Sequence, residues 1–252
     1  MKRVSIAIVT YNDEKHIGNL LGSINECVKL EDCHIFLIDN GSQDETRNIA
    51  KEKNDNITII ENEKNIGFGA GHNKVLSLLD SKYHVILNPD VVIKSDVISQ
   101  MACYLDSNPD IGMITPKILY SDGSVQILPK KDPKPIYMLA RRSKIKALQK
   151  YKDAYEMTEA GADKAYDIEF ASGSFMFIRT ELFKKVGGFD ERYFLYLEDA
   201  DLSRKVRQYA RIQYNPGFIV YHDWQQAGAK QIKYFLIHVV SMIKYVLKWR
   251  KK

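Results

Sequence analysis

Three carboxylates are crowded into one short stretch of the chain, residues 193–206, which reads YFLYLEDADLSRKV. Glu198, Asp199 and Asp201 stand at a predicted helix start, and Arg204 follows Asp201 at i,i+3 spacing. Acidic residues favour helix N-termini for electrostatic reasons alone. The preceding aromatic and apolar residues, however, indicate a water-poor surface, where crowded carboxylates acquire raised pKa values. A raised pKa is the property that a general base needs.

A further candidate carboxylate follows a buried strand. The segment VILNPDVVI, residues 85–93, runs from apolar residues into Asn88, Pro89 and Asp90. Asn-Pro-Asp is prone to form a turn, so Asp90 could simply be a turn residue. The alternative is that its carboxylate is a ligand for a hard cation. In the second case it would hold Mg²⁺ or Mn²⁺, which binds diphosphate oxygens in turn.

The segment NIGFGAGHN, residues 65–73, carries glycines at Gly67, Gly69 and Gly71. It is not a dinucleotide fingerprint, because the spacing differs and the segment follows the third predicted strand rather than the first. As a helix entry it either packs tightly or presents backbone N–H groups to an anion. His222, after the strand-like FIVYH, is either a capping residue or a metal or phosphate contact.

Alternating strand and helix patterns position these residues. Apolar, β-branched runs predict strands at residues 4–9, 34–38, 57–60 and 83–87. Helical patterns lie between them, at residues 17–28, 44–53 and 69–79. This alternation predicts an α/β fold with a mostly parallel central sheet flanked by helices. Ligands of such sheets bind beyond the C-terminal ends of the strands.

Polar side chains stand at that end of all four predicted strands. They are, in chain order, Thr10, Tyr11, Asn12, Asp39, Asn40, Asn62, Asn65, Asn88 and Asp90. We therefore expect one binding site along this edge of the sheet.

The second half of the chain is less regular. The proline-rich segment PKKDPKP, residues 129–135, interrupts the pattern of strands and helices. The following residues, 136–165, are lysine-rich and weakly periodic, which predicts helical or mobile structure. Order returns at residues 168–179, and short strands are predicted near residues 211–214 and 218–221.

Composition limits the class of protein. The 252 residues are 45% hydrophobic and 27% charged, as in a globular protein. Three cysteines without metal spacing predict reduced thiols. The N-terminal apolar run meets polar residues too early for a signal peptide, and no apolar segment is long enough to span a membrane.

The net charge of +5 comes from the C-terminal segment. No acidic residue follows Asp223, whereas seven lysines and arginines do, and the rest of the chain has 30 basic against 32 acidic residues. A nucleic-acid partner is therefore not expected.

The C-terminal segment, residues 231–252, has the pattern of an amphipathic helix. Its apolar positions recur at i, i+3, i+4 and i+7: Ile232, Phe235, Leu236, Val239, Val240, Ile243, Val246 and Leu247. Such a helix either packs in the protein or forms a homodimer, or it lies on an anionic membrane surface.

Seven segments together carry a resemblance to a known family. They are VTYN (9–12), DNGSQD (39–44), NIGFGAGHN (65–73), LNPD (87–90), ASGSFMFIR (171–179), GGFDERYFLYLEDADLSRK (187–205) and the strand ending in His222. In this order they resemble family 2 glycosyltransferases, and most of all the bacterial rhamnosyltransferase-like branch that builds cell-wall and O-antigen polysaccharides.

The resemblance implies a GT-A fold over residues 1–225, followed by a basic amphipathic helix at residues 226–252. Residues 1–100 would form the nucleotide-sugar-binding half, and residues 101–225 the acceptor and catalytic half. The resemblance also implies a lipid-linked acceptor, and the amphipathic helix suits a membrane surface. The protein is therefore expected at the cytoplasmic face of the membrane.

The same resemblance implies a role for each site residue. Asp199 would be the general base of an inverting transfer, and Glu198 and Asp201 would hold an acceptor hydroxyl or position Arg204. Asp90, with His222, would bind a divalent metal, Mg²⁺ or Mn²⁺. The nucleotide-sugar contacts would be Thr10, Tyr11, Asn12, Asp39, Asn40, Asn65, Gly67, Phe68, Asn73, Asn88, Gly173 and Arg204.

One position departs from the wider family pattern. The family carries Asp-x-Asp after its fourth strand, whereas the first of these positions is Asn88 here. An amide is a weaker metal ligand than a carboxylate, so metal binding would depend on Asp90 and on the donor diphosphate. The Asn-Pro-Asp form is common in the rhamnosyltransferase-like branch, so it indicates the subfamily.

The expected donor is dTDP-L-rhamnose and the expected acceptor a polyprenyl-diphosphate-linked glycan. A UDP-hexose or UDP-galactofuranose donor is the nearest alternative. A non-catalytic nucleotide-sugar-binding protein is a second alternative, although it would not need the intact carboxylate cluster. A nucleotidyltransferase would carry a glycine-rich basic loop after the first strand, where this chain has TYNDEKH.

Overall fold

A computed structural model describes residues 2–53, 57–128, 130–223 and 232–250. The strands are β1 (Lys2–Thr10), β2 (Cys33–Asp39), β3 (Ile57–Glu61), β4 (Ser81–Leu87), β5 (Val91–Val92), β6 (Ile111–Leu119), β7 (Tyr166–Asp167), β8 (Phe175–Arg179) and β9 (Arg211–His222). The helices are α1 (Ile17–Cys27), α2 (Thr46–Lys53), α3 (Phe68–Asn73), α4 (Val97–Ser107), α5 (Pro135–Arg142), α6 (Gln149–Glu156), α7 (Thr180–Lys185), α8 (Glu198–Val206) and α9 (Ile232–Trp249).

All of these strands join one sheet, in the order β3-β2-β1-β4-β8-β6-β9-β5, with β7 also paired to β9. The first four strands are parallel, as the βαβ alternation predicts. In the second half β8 lies antiparallel between β4 and β6, β9 is parallel to β6, and β5 and β7 run antiparallel to β9. The insertion of β8 makes the two halves of the chain share a single sheet.

The sheet is covered on both faces, because successive residues of its central strands point to opposite sides. Ile6 and Ile8 of β1 belong to the core under α1, whereas Ala7 and Val9 belong to the core on the other face. The residues of α1 predicted to form its apolar face are fully buried there. An α/β fold with a central sheet flanked by helices is thus confirmed.

Three predicted elements differ in extent. The helix predicted at residues 69–79 ends at Asn73, because a glycine-rich sequence has low helix propensity and the Asn73 side chain is bound to another loop. The two strands predicted near residues 211–221 form one strand with an irregular register. The lysine-rich region after Lys134 is helical, forming α5 and α6.

The C-terminal helix α9 packs against the protein by one face only. Ser241, Tyr245 and Trp249 are buried, whereas the predicted apolar positions of the helix point to solvent. Within the part of the chain that the structure describes, no helix is both long and apolar enough to cross a bilayer. Residues 226–231 and 251–252 of the predicted C-terminal helix, which include Lys230, Gln231, Lys251 and Lys252, lie outside the described residues.

Candidate active site at the C-terminal ends of the strands

The ends of β1 and β2 form the first part of the candidate site. The parallel register places Thr10 beside Asp39, and the Thr10 hydroxyl donates to Asp39 Oδ1 at 3.3 Å. Asp39 Oδ2 accepts from the backbone N–H of Ser42 at 3.0 Å and lies 3.7 Å from Arg47 Nε. Both Thr10 and Asp39 are buried, whereas 48% of the Tyr11 surface is exposed next to them. The aromatic ring of Tyr11 is therefore accessible to a ligand beside the Thr10–Asp39 pair.

Asparagine side chains join the loops at this edge. Asn12, in a left-handed conformation with φ 58°, accepts from the backbone N–H of Gln43 at 2.8 Å. Asn40 Nδ2 donates to the carbonyl oxygen of Gly67 at 3.1 Å, and Asn65 Oδ1 accepts from the Gly67 N–H at 2.9 Å. These three asparagines of the predicted binding set are therefore also structural members of the loops that surround the site.

The glycine-rich loop packs against the segment that precedes the carboxylate cluster. Gly67 has φ 95°, and a Cβ atom there would lie 2.4 Å from the carbonyl oxygen of Phe194. The same oxygen accepts from the Phe68 N–H at 3.1 Å. Asn73 exchanges two hydrogen bonds with the backbone of Phe189, at 2.9 and 2.8 Å. Of the two readings of this loop, the structure favours tight packing.

Gly67→Ala is expected to destabilise the fold by about 3 kcal/mol, because it combines a glycine-only backbone conformation with a steric clash. For a chain of this size the melting temperature should fall by roughly 10 °C. The matched control is Gly22→Ala, in the interior of α1, where an added Cβ meets nothing within 4 Å. That change should be neutral or stabilise by up to about 1 kcal/mol. Equal melting temperatures for the two variants would contradict the packing argument.

The backbone leading into α8 is strained. Tyr196 and Leu197 adopt left-handed conformations, with φ 68° and 69°, which bulky residues rarely do. The Ser241 hydroxyl of α9 donates to the carbonyl oxygen of Leu195 at 2.9 Å, which helps to hold this backbone in place. Strained residues concentrate at functional sites, and these two immediately precede Glu198.

Asp199 is held by main-chain donors at the start of α8. Its Oδ2 accepts from the Gly173 N–H at 3.1 Å and its Oδ1 from the Ala200 N–H at 2.9 Å. Burial raises the pKa of Asp199 to about 6, although both hydrogen bonds act to lower it. The side chain remains partly exposed. A carboxylate with this pKa is ionised at neutral pH and still accepts a proton readily.

Glu198 is in a different state from its neighbour. It is buried, and its Oε2 has no hydrogen-bond partner among the described residues. Burial, followed by the negative charge of Asp199, raises the pKa of Glu198 well above its ordinary value. Burial and the neighbouring charge thus favour the protonated form of Glu198 more strongly than that of Asp199.

Asp201 and Arg204 face α9. Asp201 is fully buried and accepts hydrogen bonds from Trp249 Nε1 and Lys248 Nζ, each at 2.8 Å. The Arg204 guanidinium lies 4.6 Å from the Trp249 ring centroid and 3.9 Å from an oxygen of Asp132. Contacts with α9 and Asp132 therefore account for both side chains in this structure, and Asp199 is the member of the cluster best placed for chemistry.

Asp90 and His222 come together across the β5–β9 pairing, where Val91 is opposite His222. His222 Nε2 lies 3.0 Å from Asp90 Oδ1, and Nδ1 lies 3.0 Å from Gln126 Oε1. Gln126 Nε2 donates to the His222 carbonyl at 2.7 Å, so its Oε1 accepts from Nδ1–H. The imidazole is thereby oriented with Nε2 towards the carboxylate.

This pair fits a metal that is bound jointly with a diphosphate. In the described ranges, no group of three or more histidine, cysteine or acidic side chains is arranged to hold an ion. Asp90 and His222 therefore offer two ligands, and Mg²⁺ and Mn²⁺ sites commonly complete their shell with phosphate oxygens and water. Asn88 holds the same region, since its N–H donates to the Ser174 carbonyl at 3.1 Å.

A sequence model described as glycosyl transferase family 2 matches residues 5–187. This is more than half of the chain and includes every strand-end residue described above except His222. The chain belongs to glycosyl transferase family 2. The predicted resemblance to this family is thus confirmed, and the chain is a glycosyltransferase by family.

Two curated relatives are rhamnosyltransferases. The chain is 27% identical over 214 residues to the N-acetylglucosaminyl-diphospho-decaprenol L-rhamnosyltransferase of Mycobacterium tuberculosis, covering 80% of this chain and 69% of the relative. It is 26% identical, over an alignment of 268 positions, to the rhamnosyltransferase WbbL of Escherichia coli, covering 98% of this chain and 94% of the relative. The similarity to the rhamnosyltransferase-like branch is confirmed at this level.

A solved structure with the same fold is that of the mannosyltransferase PcManGT from Pyrobaculum calidifontis, in complex with GDP-Man and Mn²⁺. The TM-score is 0.68 at 16% identity, over 98% of this chain. This chain spans 64% of the length of that protein. The likeness supports the fold, which is the predicted GT-A fold.

Two further side chains of this glycosyltransferase, Asp13 and Gln126, were not predicted as site residues from the sequence. Burial raises the pKa of Asp13 to about 6, and the charge of Asp90 acts in the same direction. Asp13 directly follows the VTYN motif, so its position was a usable signal. Gln126, which orients His222 from 96 residues away, left no comparable signal.

Proposed function

We propose that this chain is an inverting glycosyltransferase that moves L-rhamnose from dTDP-L-rhamnose onto a polyprenyl-diphosphate-linked saccharide. The observation that carries the transfer chemistry is Asp199, a partly exposed carboxylate with a pKa of about 6, held by two backbone N–H groups. The similarity to two rhamnosyltransferases, one of them acting on an N-acetylglucosaminyl-diphospho-decaprenol acceptor, supports the choice of sugar and acceptor class.

Asp199 would act as the general base. It accepts the proton of an acceptor hydroxyl while that oxygen attacks the anomeric carbon of the donor sugar. The bond between this carbon and the diphosphate oxygen breaks on the opposite face, so the configuration inverts and a nucleoside diphosphate leaves. The N–H groups of Gly173 and Ala200 fix the direction of the carboxylate.

The donor would lie along the edge formed by the ends of β1, β2 and β4. The Thr10–Asp39 pair and the exposed Tyr11 ring suit the base and ribose of the nucleotide. Asp90 and His222 would hold the divalent metal, which neutralises charge on the departing diphosphate when bound. The metal and the rhamnosyl donor are both parts of this proposal.

The direct test is a thermal-shift screen of nucleoside-diphosphate sugars with and without Mn²⁺, followed by transfer assays. At about 100 times Kd a donor should stabilise the fold by about 2.7 kcal/mol, which raises the melting temperature by roughly 5–10 °C. We expect dTDP-L-rhamnose to give the largest shift, and Asp90→Asn to remove its Mn²⁺-dependent part. A larger shift with a UDP-hexose or UDP-galactofuranose would overturn the donor assignment.

We also propose that α9 attaches this enzyme to an anionic membrane surface. Only a narrow face of the helix packs in the protein. Packing in the protein and binding to a membrane are therefore compatible. Its remaining surface is an exposed apolar face formed by Ile232, Phe235, Leu236, Val239, Val240, Ile243, Val246 and Leu247. The exposed Lys233 and Lys244 lie along one edge of this face, although Lys244 also donates to the Arg192 carbonyl. Lysines beside an apolar face suit lipid tails next to anionic head groups.

Co-sedimentation with vesicles containing anionic lipid should detect this attachment. The double variant Val239→Ser/Ile243→Ser should lower the partition coefficient by at least about tenfold, because each buried aliphatic side chain contributes about 1.5–3 kcal/mol. Leu78→Ser, at an equally exposed apolar residue elsewhere, is the control and should pellet like wild type. Failure of the wild-type protein to pellet, with a dimer in sedimentation analysis, would assign the face to a homodimer instead.

A further inference from the structure

A cavity of about 230 Å³ lies in the second half of the fold, outside the donor edge. It is lined by β6 and β9, by residues 125–128 and Lys130, and by the loop after α6. Most of its surface is apolar, and the polar and charged side chains on it include Thr115, Gln126, Lys130, Glu156, Ser172 and Tyr214. The volume is too small for a nucleotide sugar but suits a diphosphate or a single sugar ring.

Most of these polar groups are already paired within the protein. The hydroxyls of Thr115 and Tyr214 donate to backbone carbonyl oxygens at 3.1 and 2.8 Å. Glu156, the carboxylate on the cavity surface, accepts from Arg141 Nε at 3.1 Å. None of these groups needs a ligand to satisfy its hydrogen bonding.

Lys130 is the exception. Its Nζ makes one long hydrogen bond, 3.4 Å to the Leu128 carbonyl, and lies 5.0 Å from the Tyr214 ring centroid. Among the described residues no carboxylate forms an ion pair with it. Burial lowers the pKa of Lys130, although the charge of Glu156 acts against this. An ammonium has three donors, so an anion in the cavity would complete its hydrogen bonding.

The backbone of Lys130 is anchored close to the catalytic carboxylate. Its N–H donates to the Tyr155 carbonyl at 3.0 Å, and its carbonyl accepts from the Phe170 N–H at 3.0 Å. Three residues after Phe170, Gly173 donates to Asp199. Ser172, which lines the cavity, directly precedes Gly173, so the cavity adjoins the segment that holds Asp199.

We infer that this cavity binds the diphosphate of the lipid-linked acceptor, with Lys130 as its cationic contact. The inference rests on the proposed function, because it assumes an acceptor sugar whose hydroxyl reaches Asp199. Its anomeric diphosphate then extends towards Lys130, and the apolar surface of the cavity accommodates the first carbons of the lipid. The donor diphosphate would lie in the neighbouring place, at Asp90 and His222, which Gln126 joins to the cavity.

Steady-state kinetics of Lys130→Gln on two acceptors tests the assignment. One acceptor is the saccharide linked through diphosphate to a short prenyl chain, and the other is the same saccharide as an octyl glycoside. Loss of a charged hydrogen bond should raise KM for the diphosphate acceptor about 10- to 100-fold. KM for the glycoside and KM for the donor should stay within about twofold of wild type, and Lys130→Arg should restore most of the loss.

Binding of inorganic pyrophosphate, measured by calorimetry in metal-free buffer, gives a second readout that needs no activity. Wild type and Asp90→Asn should bind it alike, whereas Lys130→Gln should bind it at least about tenfold more weakly. If wild type transferred no sugar to any lipid-linked saccharide, the proposed function would fail while this measurement still decided the anion site.

Two results would overturn the inference. The first is an equal rise in KM for both acceptors, which would mean that Lys130 only supports the surrounding structure. The second is loss of pyrophosphate binding in Asp90→Asn but not in Lys130→Gln, which would assign the anion to the donor site.

Discussion

Asp199→Asn is expected to lower kcat by about 10²- to 10⁴-fold while donor binding stays close to that of wild type. Removal of a general base costs a factor of this size, and the amide oxygen can still accept one of the two backbone hydrogen bonds that hold the side chain. Single-turnover transfer rates and a donor titration of the same variant would measure both quantities.

The pH profile provides an independent check on the base. Because the pKa of Asp199 is raised to about 6, the base is protonated and inactive below this pH. The rate should therefore rise about tenfold per pH unit below pH 6 and level off above it. The Asn variant should lose this rise, since an amide does not titrate in this range.

Glu198→Gln is the matched control, one residue away. Since burial and the charge of Asp199 raise the pKa of Glu198 and so favour its protonated form, a neutral glutamine of similar shape should reduce kcat by less than about tenfold. If Glu198→Gln were as damaging as Asp199→Asn, or if Asp199→Asn kept near-full transfer, Asp199 would not be the base.

Trp249→Ala is expected to have the largest effect on stability. It removes a buried aromatic side chain and one of the hydrogen bonds to the buried carboxylate of Asp201. Loss of a buried tryptophan costs about 3–5 kcal/mol, which lowers the melting temperature by roughly 10 °C in a protein of this size. Activity should fall as well, because Asp201 and Asp199 belong to the same helix, α8.

Ile243→Ala on the exposed face of the same helix serves as the control for that measurement. Ile243 is 54% exposed, so its truncation should change the free energy of unfolding by less than about 1 kcal/mol. Differential scanning calorimetry compares the two variants directly. If Ile243→Ala were the more destabilising, α9 would pack by its apolar face and the description of the helix would be wrong.

The predicted strand-end residues came together because their arrangement follows from local rules. Parallel β1 and β2 place Thr10 opposite Asp39, and strands joined by helices have their C-terminal ends at one edge. Asp90 follows the next strand in the sheet. Strand periodicity alone therefore predicts this part of the site.

The roles within the carboxylate cluster could not be predicted in the same way. Glu198, Asp199 and Asp201 have similar local sequence contexts, but their environments depend on distant residues. Asp201 is bound by Trp249, 48 residues further along the chain, and Asp199 by Gly173, 26 residues earlier. The need for glycine at position 67 likewise depends on a distant residue, because a Cβ atom there would clash with the carbonyl oxygen of Phe194.

The amino-acid sequence was enough to identify the family, the α/β class and the sheet edge where we propose the site, because periodicity and motif order are local properties. It also determined that α9 has an apolar face. The exposure of this face, with Ser241, Tyr245 and Trp249 packed inwards, depends on tertiary contacts that the helical pattern does not reveal. The tertiary structure also distinguishes Asp199, the base that we propose, from its neighbours, because burial and long-range hydrogen bonds set the pKa and accessibility of each carboxyl.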